Sequence, residues 1–546
     1  MAQVKAWKLG DPKAPLFPDN FEVTDKAVLQ VTDIKSNHNK YYAIEVHTAQ
    51  LKGKDVFRVF THYGRTDDLE SDPDAGQKEH RFYATLAEAQ QSYEAIYRAK
   101  TSPSKGYKEV SLASSRIGSS KARGTSSGHI DDATIQKAGA QKAATAPETT
   151  KTPLDAEATK PPPDAAAEPP REPPAEPAPP APALPPSWRR KLMRLVGLDG
   201  PQATAISETR EIPPPPDTSA TPLHPRVAEL VDYIYAEATS ALTSTVAVKI
   251  TAAGIETPLG ILTLGQIEKG ETILQELYEL FQEKTKKRDR LEQLSGEFYT
   301  VIPHRIGRTR VAVAAAVIDS LEAFEQKQET LQLMKDMLQV NGEGNVLYHS
   351  QTHAQYQALR CDIGWVEPGS TTFRQIRDLV INSQVKSKSI KVVRVYTLRR
   401  APEWRAFTDK VGNQRQLFHG SRIRNWVGIL SRGIVLPKIA VSLGVNRTDA
   451  GWLGNGIYFG DAACTSVFYT SPGRKKTRLM AVARVALGRV RDYYKITYGL
   501  AGPPSGYDSC HGVRNAAGRR SQFADDEYVI YDSSQQKLEY LVELTA

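Results

Sequence analysis

Hydrophobic and polar positions change period along the chain, and each change marks a different kind of unit. The first hundred residues alternate. In "YYAIEVHTAQ" and "VFRVFTHYGR" apolar, β-branched and aromatic residues recur in strand fashion, and the Gly-containing join "LKGKD" predicts a hairpin. In "LAEAQQSYEAIYRAK" the residues Leu86, Ala89, Tyr93, Ile96 and Tyr97 share one helical face, so residues 1–101 predict a small α+β domain, a sheet with a packed helix. Between 102 and 221 the periodicity vanishes. Fourteen of the 35 prolines lie in residues 151–190, and Trp188 is the one aromatic between Tyr107 and Tyr233. Such a stretch cannot bury enough apolar area to offset its ordering entropy, which predicts a disordered, Pro/Ala-rich linker.

From residue 226 the period becomes helical. Val227, Leu230, Val231, Ile234, Tyr235 and Ala238 form one stripe, Ile273, Leu277, Leu280 and Phe281 another, and Leu331, Met334 and Leu338 a third, predicting an all-α unit over 222–342. Strand patterns return in "IKVVRVYTL", "RQLFHG", "GIYFGD", "RLMAVARVALGRV", "EYVIYD" and "LEYLVEL". Residues 343–546 therefore predict an α+β domain of short, mainly antiparallel strands, and the whole chain is multidomain.

Charge and composition sharpen this picture at three points. The net charge is +9, yet residues 1–100 carry 14 basic and 15 acidic side chains and residues 101–221 carry 15 and 14, so the excess lies wholly beyond 221. That balance favours polyanionic partners such as nucleic acid or a nucleotide. The three cysteines are far apart, which excludes a disulfide framework and a CxxC zinc site and fits a reducing compartment. No signal peptide is evident, and the run "VAVAAAVI" is too short to span a bilayer, so the expectation is a soluble intracellular protein with no membrane partner. Within the linker, "SWRRKLMRLVGL" reads as an import or nucleic-acid patch or as a short docking helix, and "SSRIGSSKARGTSSG" as a solvated tether.

The stretch "LGNGIYFGD" raises the question of chemistry. Its glycines, Gly454, Gly456 and Gly460, do not fit the dinucleotide spacing G-x-G-x-x-G, which leaves a tight turn into a strand. Its neighbours in order are "LFHGSRIRN" at 417–425, "GNGIYFGDAACTSVFYT" at 454–470 and "DDEYVIYD" at 525–532. Together these resemble the catalytic domain of the poly(ADP-ribose) polymerase family, from about residue 350 to the end. "TPLGILTLGQIEKGETIL" and "LSGEFYTVIPH" look like that family's helical regulatory domain, and the first domain is similar to the WGR domain of DNA-dependent members, with Tyr63, Gly64 and Arg65 at the signature. "LPKIAVSLGVNRTDAGWLGNGIYF" looks closer to the vault-associated branch.

The resemblance implies an ADP-ribosyltransferase that uses NAD as substrate and no metal. Cleavage of the nicotinamide–ribose bond passes through an oxocarbenium-like state, which needs a held donor and a carboxylate near the ribose. Glu527 would be that carboxylate, with His419 on a ribose hydroxyl and Tyr458 completing the catalytic set. Gly420 would let the nicotinamide amide approach the backbone, Tyr458 and Tyr469 would sandwich the ring, Ser466 would bond its carboxamide and Phe459 would back the pocket. Ser421 and Asn425 would face the adenosine half, and Arg447 lies in the loop bordering the donor site. Outside these motifs, Glu527 reads as a solvated strand-end acid, His419 as a core histidine and the aromatics as plain core.

Two departures from the family pattern bear on the product. Thr465 stands where polymer-forming members commonly have lysine, and the acceptor-side loop "SGYDSCHGVRN" follows the family loosely, with His511 read as an exposed loop residue or an acceptor contact. DNA ends or nicks would meet Tyr63, Gly64 and Arg65, supported by Arg58, Lys52 and Lys54 as a local basic patch and by Tyr63 stacking on an exposed base or sugar. Three readings stay open: a polymer-forming transferase activated by DNA breaks, a single-unit transferase, and a catalytically silent DNA- or NAD-binding scaffold. The first has itself and other proteins as acceptors, takes part in the DNA damage response, and is nuclear in a cell that has a nucleus and cytoplasmic otherwise.

Overall fold

In the computed structural model, the described residues are 4–112, 115–123, 222–251, 254–283, 288–307, 309–342, 346–349, 351–385, 389–435 and 451–546. The predicted hairpin is present as β3 (His38–Leu51) and β4 (Lys54–Arg65), and four more strands extend it: β1 (Trp7–Lys8), β2 (Glu22–Asp33), β5 (Gln77–Tyr83) and β6 (Lys108–Glu109). Their order is β1-β5-β4-β3-β2-β6, antiparallel throughout. Lys52 and Gly53 close the hairpin with φ of 51° and 76°, the left-handed pair whose twist matches the strands it joins. Helix α1 (Leu86–Thr101) starts at a capping box in which the Thr85 side chain and Glu88 bond each other's backbone N–H. It covers one sheet face, where Ala89 packs with Ala27, Leu29, Tyr42, Ile44 and Val59.

The linker does not begin at 102. After α1 the chain returns as β6 and then as a strap, residues 110–112 and 115–123, that buries Val110, Leu112 and Ile117 with Val28, Tyr41, Ala43 and Leu69 on the other sheet face. The tether reading of "SSRIGSSKARGTSSG" is likewise corrected over 115–123, where Ser115, Ile117 and Ser119 are buried. The physical reason is a buried carboxylate: Glu45 accepts from the Ser119 N–H at 3.0 Å and from its hydroxyl, and the Gly118 N–H donates to His62 Nδ1 at 3.2 Å. The basic run "SWRRKLMRLVGL" and the proline stretch lie outside the described residues.

The helical unit contains α2 (Pro225–Thr245), a hairpin of β7 (Lys249–Thr251) and β8 (Gly254–Glu256), then α3 (Leu264–Gln282), α4 (Arg288–Val301), α5 (Arg310–Ala315), α6 (Leu321–Asn341), α7 (Val346–His349) and α8 (Thr352–Ala358). Thr263, Thr309 and Ser320 cap α3, α5 and α6 with their side chains, which sets where those helices start. The strap docks here too: Ser115 bridges to Gly260, the Arg116 N–H donates to Leu259 O at 2.8 Å, and Arg116 pairs with Glu256 at 3.0 Å.

The C-terminal region comprises β9 (Asp362–Val366), α9 (Thr371–Asn382), β10 (Lys391–Arg399), α10 (Ala401–Ala406), β11 (Gln414–Gly420), α11 (Trp426–Arg432), β12 (Ile457–Gly460), α12 (Ala463–Ser466), β13 (Arg478–Ala486), β14 (Val490–Tyr493), β15 (Ser509–Gly512), β16 (Glu527–Ile530) and β17 (Gln536–Thr545). They form a nine-stranded sheet in the order β14-β15-β16-β12-β11-β13-β17-β10-β9, antiparallel except for the β14–β15 pair. One apolar core runs from the helical unit into this sheet, joining Phe298, Phe324 and Met337 to Trp426, Phe459 and Leu541. The three cysteines are buried and unpaired. Among the described residues no helix is long and apolar enough to cross a membrane.

Candidate active site

The site is built where three strand ends meet. Gly460 ends β12 and lies opposite Phe418 of β11 on one side and Glu527 of β16 on the other. Strands β11 and β12 pair at that single position, after which His419 and Gly420 continue alongside Ala481 and Met480 of β13. The end of β11 is thereby freed from β12. His419 Nδ1 lies 3.0 Å from the Tyr458 carbonyl, which can only accept, so Nδ1 carries the proton and Nε2 keeps its lone pair. Burial lowers the imidazole pKa and keeps the ring neutral.

Gly420 has no room for a side chain. A Cβ there would collide with the Ser466 carbonyl oxygen, which explains glycine at this position by close approach. The buried Ser466 hydroxyl donates to Phe418 O at 2.9 Å, so toward a ligand it offers its oxygen as an acceptor. Phe459 is buried with its ring centroid 5.7 Å from that of His419, which places it behind the histidine.

Tyr458 is held by its own turn. Its hydroxyl donates to Gly454 O at 2.8 Å and accepts from the Leu453 N–H at 2.9 Å. Gly454 makes this possible, because its φ is +80° and a Cβ would collide with the Leu500 backbone. The glycines of "LGNGIYFGD" thus serve to present a tyrosine. Tyr469 is 60% exposed beside it. Desolvation by the surrounding protein raises both phenols, and the Glu527 charge adds to each shift, so both lie within electrostatic reach of that carboxylate.

Glu527 is only 9% exposed. Burial, then the neighbouring charge of Asp525, push its carboxyl up to about 7, so the alternative of a solvated strand-end acid does not hold. Asn425 donates to the Ser421 hydroxyl at 3.1 Å, and the two arginines between them, Arg422 and Arg424, pair with Glu329 of α6 at 2.8 and 2.6 Å. The helical unit therefore grips the loop expected to face adenosine. Arg447 lies outside the described residues.

The N-terminal candidates sit apart from this group, at the end of β4. Tyr63 is stacked on Tyr42 at 5.1 Å and 10°, and its hydroxyl donates to Glu79 at 2.8 Å and lies 2.9 Å from the Gln77 amide. One ring face is thus already occupied. Gly64 lies against the Tyr41 ring, and Arg65 pairs with Asp67 at 3.2 Å. Arg58, half-buried, lies over the Phe17 ring at 4.1 Å and donates to His47 Nδ1 at 3.0 Å, and desolvation lowers its guanidinium to about 10. Lys52 and Lys54 are exposed at the hairpin tip.

A polar cluster beside Glu527 escaped the sequence reading. His511 is on strand β15 and is no loop residue; its two ring nitrogens each lie 2.9 Å from a carboxylate, of Asp492 and Asp526, and its ring lies flat on Tyr528 at 4.3 Å. Arg514 joins Asp461 and Asp526 at 3.0 and 3.4 Å. The run "DDE" was the available signal. Among the described residues no group of three or more His, Cys, Asp and Glu side chains could hold a metal ion.

Three family models match the chain: the poly(ADP-ribose) polymerase catalytic domain over 370–522, the poly(ADP-ribose) polymerase regulatory domain over 221–352 and the WGR domain over 25–113. Protein mono-ADP-ribosyltransferase PARP4 of Mus musculus is 34% identical over 328 residues, 59% of this chain and 16% of that protein. Poly [ADP-ribose] polymerase 2-B of Oryza sativa subsp. japonica is 26% identical over 319 residues, 52% and 51% of the two chains. Protein mono-ADP-ribosyltransferase PARP3 of Gallus gallus is 29% identical over 325 residues, 53% and 58%. The chain thus spans between 16% and 58% of the length of these relatives.

Proposed function

The chain belongs to the poly(ADP-ribose) polymerase family, and we propose that it transfers ADP-ribose from NAD to proteins, releasing nicotinamide. The observation that carries this reading is Glu527, a buried carboxylate at the start of β16, paired with the end of β12, the strand that carries Tyr458. As the glycosidic bond lengthens, positive charge builds on the ribose, and an ionised Glu527 in a poorly solvated site stabilises it and orients the incoming acceptor hydroxyl or carboxyl. The neutral His419 offers Nε2 to a ribose hydroxyl, the tyrosines cover the nicotinamide ring, and Gly420 with Ser466 receives its carboxamide. Ser421 and Asn425, with Arg447, border the adenosine half.

The WGR domain and the helical unit support regulation by DNA. In this reading, ends or nicks bind near Tyr63, Gly64 and Arg65, and the helical unit then loosens its grip on the donor loop through Arg422 and Arg424. Acceptors include the chain itself and chromatin proteins, and the site of action is the nucleus where there is one. Single-unit transfer is the second reading, favoured by Thr465 in place of lysine and by two relatives named as mono-ADP-ribosyltransferases. Incubation with labelled NAD, with and without nicked DNA and resolved by size, tests all of this. A ladder indicates polymer, a single band single units, and no transfer under either condition the silent scaffold. Glu527→Gln should abolish labelling; full labelling by that variant would overturn the role given to Glu527.

A further inference from the structure

We propose that Arg514 is a positioning residue for Glu527, fastening the ends of three strands with one guanidinium; this rests on the transferase reading above. Glu527 opens β16 with Gly460, the last residue of β12, on one side and Gly512, the last residue of β15, on the other. Two glycines offer no side chains to pack against it. The register of the catalytic carboxylate must therefore be secured just beyond the strand ends, and charged residues lie there. Asp461 follows Gly460, Asp526 precedes Glu527, and Arg514 comes two residues after Gly512.

The geometry closes a clamp. Arg514 Nη2 donates to Asp461 Oδ1 at 3.0 Å, Nη1 lies 3.4 Å from Asp526 Oδ2, and the Arg514 backbone N–H donates to Asp526 Oδ1 at 2.9 Å. Asp526 Oδ1 also faces His511 Nε2 at 2.9 Å, so the residue before Glu527 is held both from β15 and from the segment just past its end. The side chains of Arg514 and Asp526 are 17% and 15% exposed, which takes the pair out of the class of weak, solvent-screened surface bridges. None of these groups touches the reacting atoms; they act through the place of Glu527.

The clamp also sets the charge around that carboxylate. Glu527 is faced by Asp525 on its own lead-in and by the phenols of Tyr458 and Tyr469. Arg514 Nε lies 3.8 Å from Asp525 Oδ1, so the guanidinium offsets the one acid that raises Glu527. Without it, Glu527 would hold its proton to higher pH.

The test follows nicotinamide release from NAD by the full chain. Arg514→Met should lower kcat by about thirtyfold or more, leave KM for NAD within about threefold, and move the acidic limb of the kcat profile to higher pH. Arg514→Lys, which keeps the charge without the fork, should recover part of kcat and return the limb. Asp461→Asn should lower kcat in the same sense, and the double variant with Arg514→Met should be no worse than Arg514→Met alone, because both break one unit. If Arg514→Met fails to fold, Asp461→Asn carries the same expectation. An active wild type whose Arg514→Met variant keeps kcat within about threefold, loses only KM, or multiplies with Asp461→Asn overturns the clamp alone. A wild type that releases no nicotinamide, with or without broken DNA, overturns the transferase reading and the clamp with it.

Discussion

Replacing Glu45 with alanine should unfasten the strap that joins the N-terminal sheet to the helical unit. Glu45 is fully buried and accepts from the Ser119 N–H at 3.0 Å, from the Ser119 hydroxyl and from His47 Nε2 at 2.7 Å. Alanine leaves those three donors without the acceptor, at about 1–3 kcal/mol for each one that stays buried. Its charge also supports two half-buried cations, Lys26, which desolvation lowers to about 8, and Arg58. The chain can escape part of this cost by letting the strap swing into water, but then Leu112 and Ile117 leave the core, at about 1.5–3 kcal/mol each. Two of those donors are on the strap, so its closed form loses about 2–6 kcal/mol relative to the opened one, and about 3 kcal/mol is already a hundredfold or more in the population of the opened strap.

Because the chain is multidomain, a single unfolding midpoint would blur this, and hydrogen exchange at named amides reads it directly. The amides of Gly118 and Ser119, and that of Arg116 on Leu259 O, should exchange about a hundredfold faster in Glu45→Ala, while the β3–β4 amides change little. Glu45→Gln, which keeps one acceptor oxygen, should fall between. Exchange at Ser119 within about threefold of wild type would refute the argument that Glu45 fastens the strap.

Two further outcomes are expected from the catalytic side. Glu527 rises from an ordinary 4.5 to about 7, so the native chain binds that proton more tightly than the unfolded chain. Its burial costs nothing below pH 4.5, and the cost grows through the window up to about 7, reaching at most about 3 kcal/mol. Glu527→Gln should therefore gain thermal stability over wild type at pH 8 relative to pH 5, and an equal difference at both would count against the burial argument. Glu329→Ala removes the partner of both Arg422 and Arg424. As these are part-exposed pairs of about 0–1 kcal/mol each, nicotinamide release without DNA should rise by about two- to tenfold, and an unchanged basal rate would show that this contact does not restrain the donor loop.

What could be read from the sequence alone follows from how far each residue's partners lie. The β3–β4 hairpin and the stripes on α2 and α3 were legible because their signals are local: alternation, a Lys-Gly turn, and apolar residues one turn apart. The strap was not, since Ser119 is ordered by Glu45 and Arg116 by Glu256, residues 74 and 140 positions away in a stretch with no period of its own. The surroundings of Arg58 were hidden for the same reason: its residue type says surface, and only Phe17 and His47, brought together by the sheet, make it half-buried. At the candidate site the motifs pointed to His419, Tyr458 and Glu527, yet "DDE" alone describes a solvated acidic run. Its Asp526 is held by His511 and Arg514, which lie on and just past a four-residue strand too short to announce itself. A carboxylate that must sit in poor solvent at a strand end needs countercharge close by but off the reacting atoms. The residues that sequence patterns pass over here are therefore the ones that, in the proposed clamp, hold Glu527 in place.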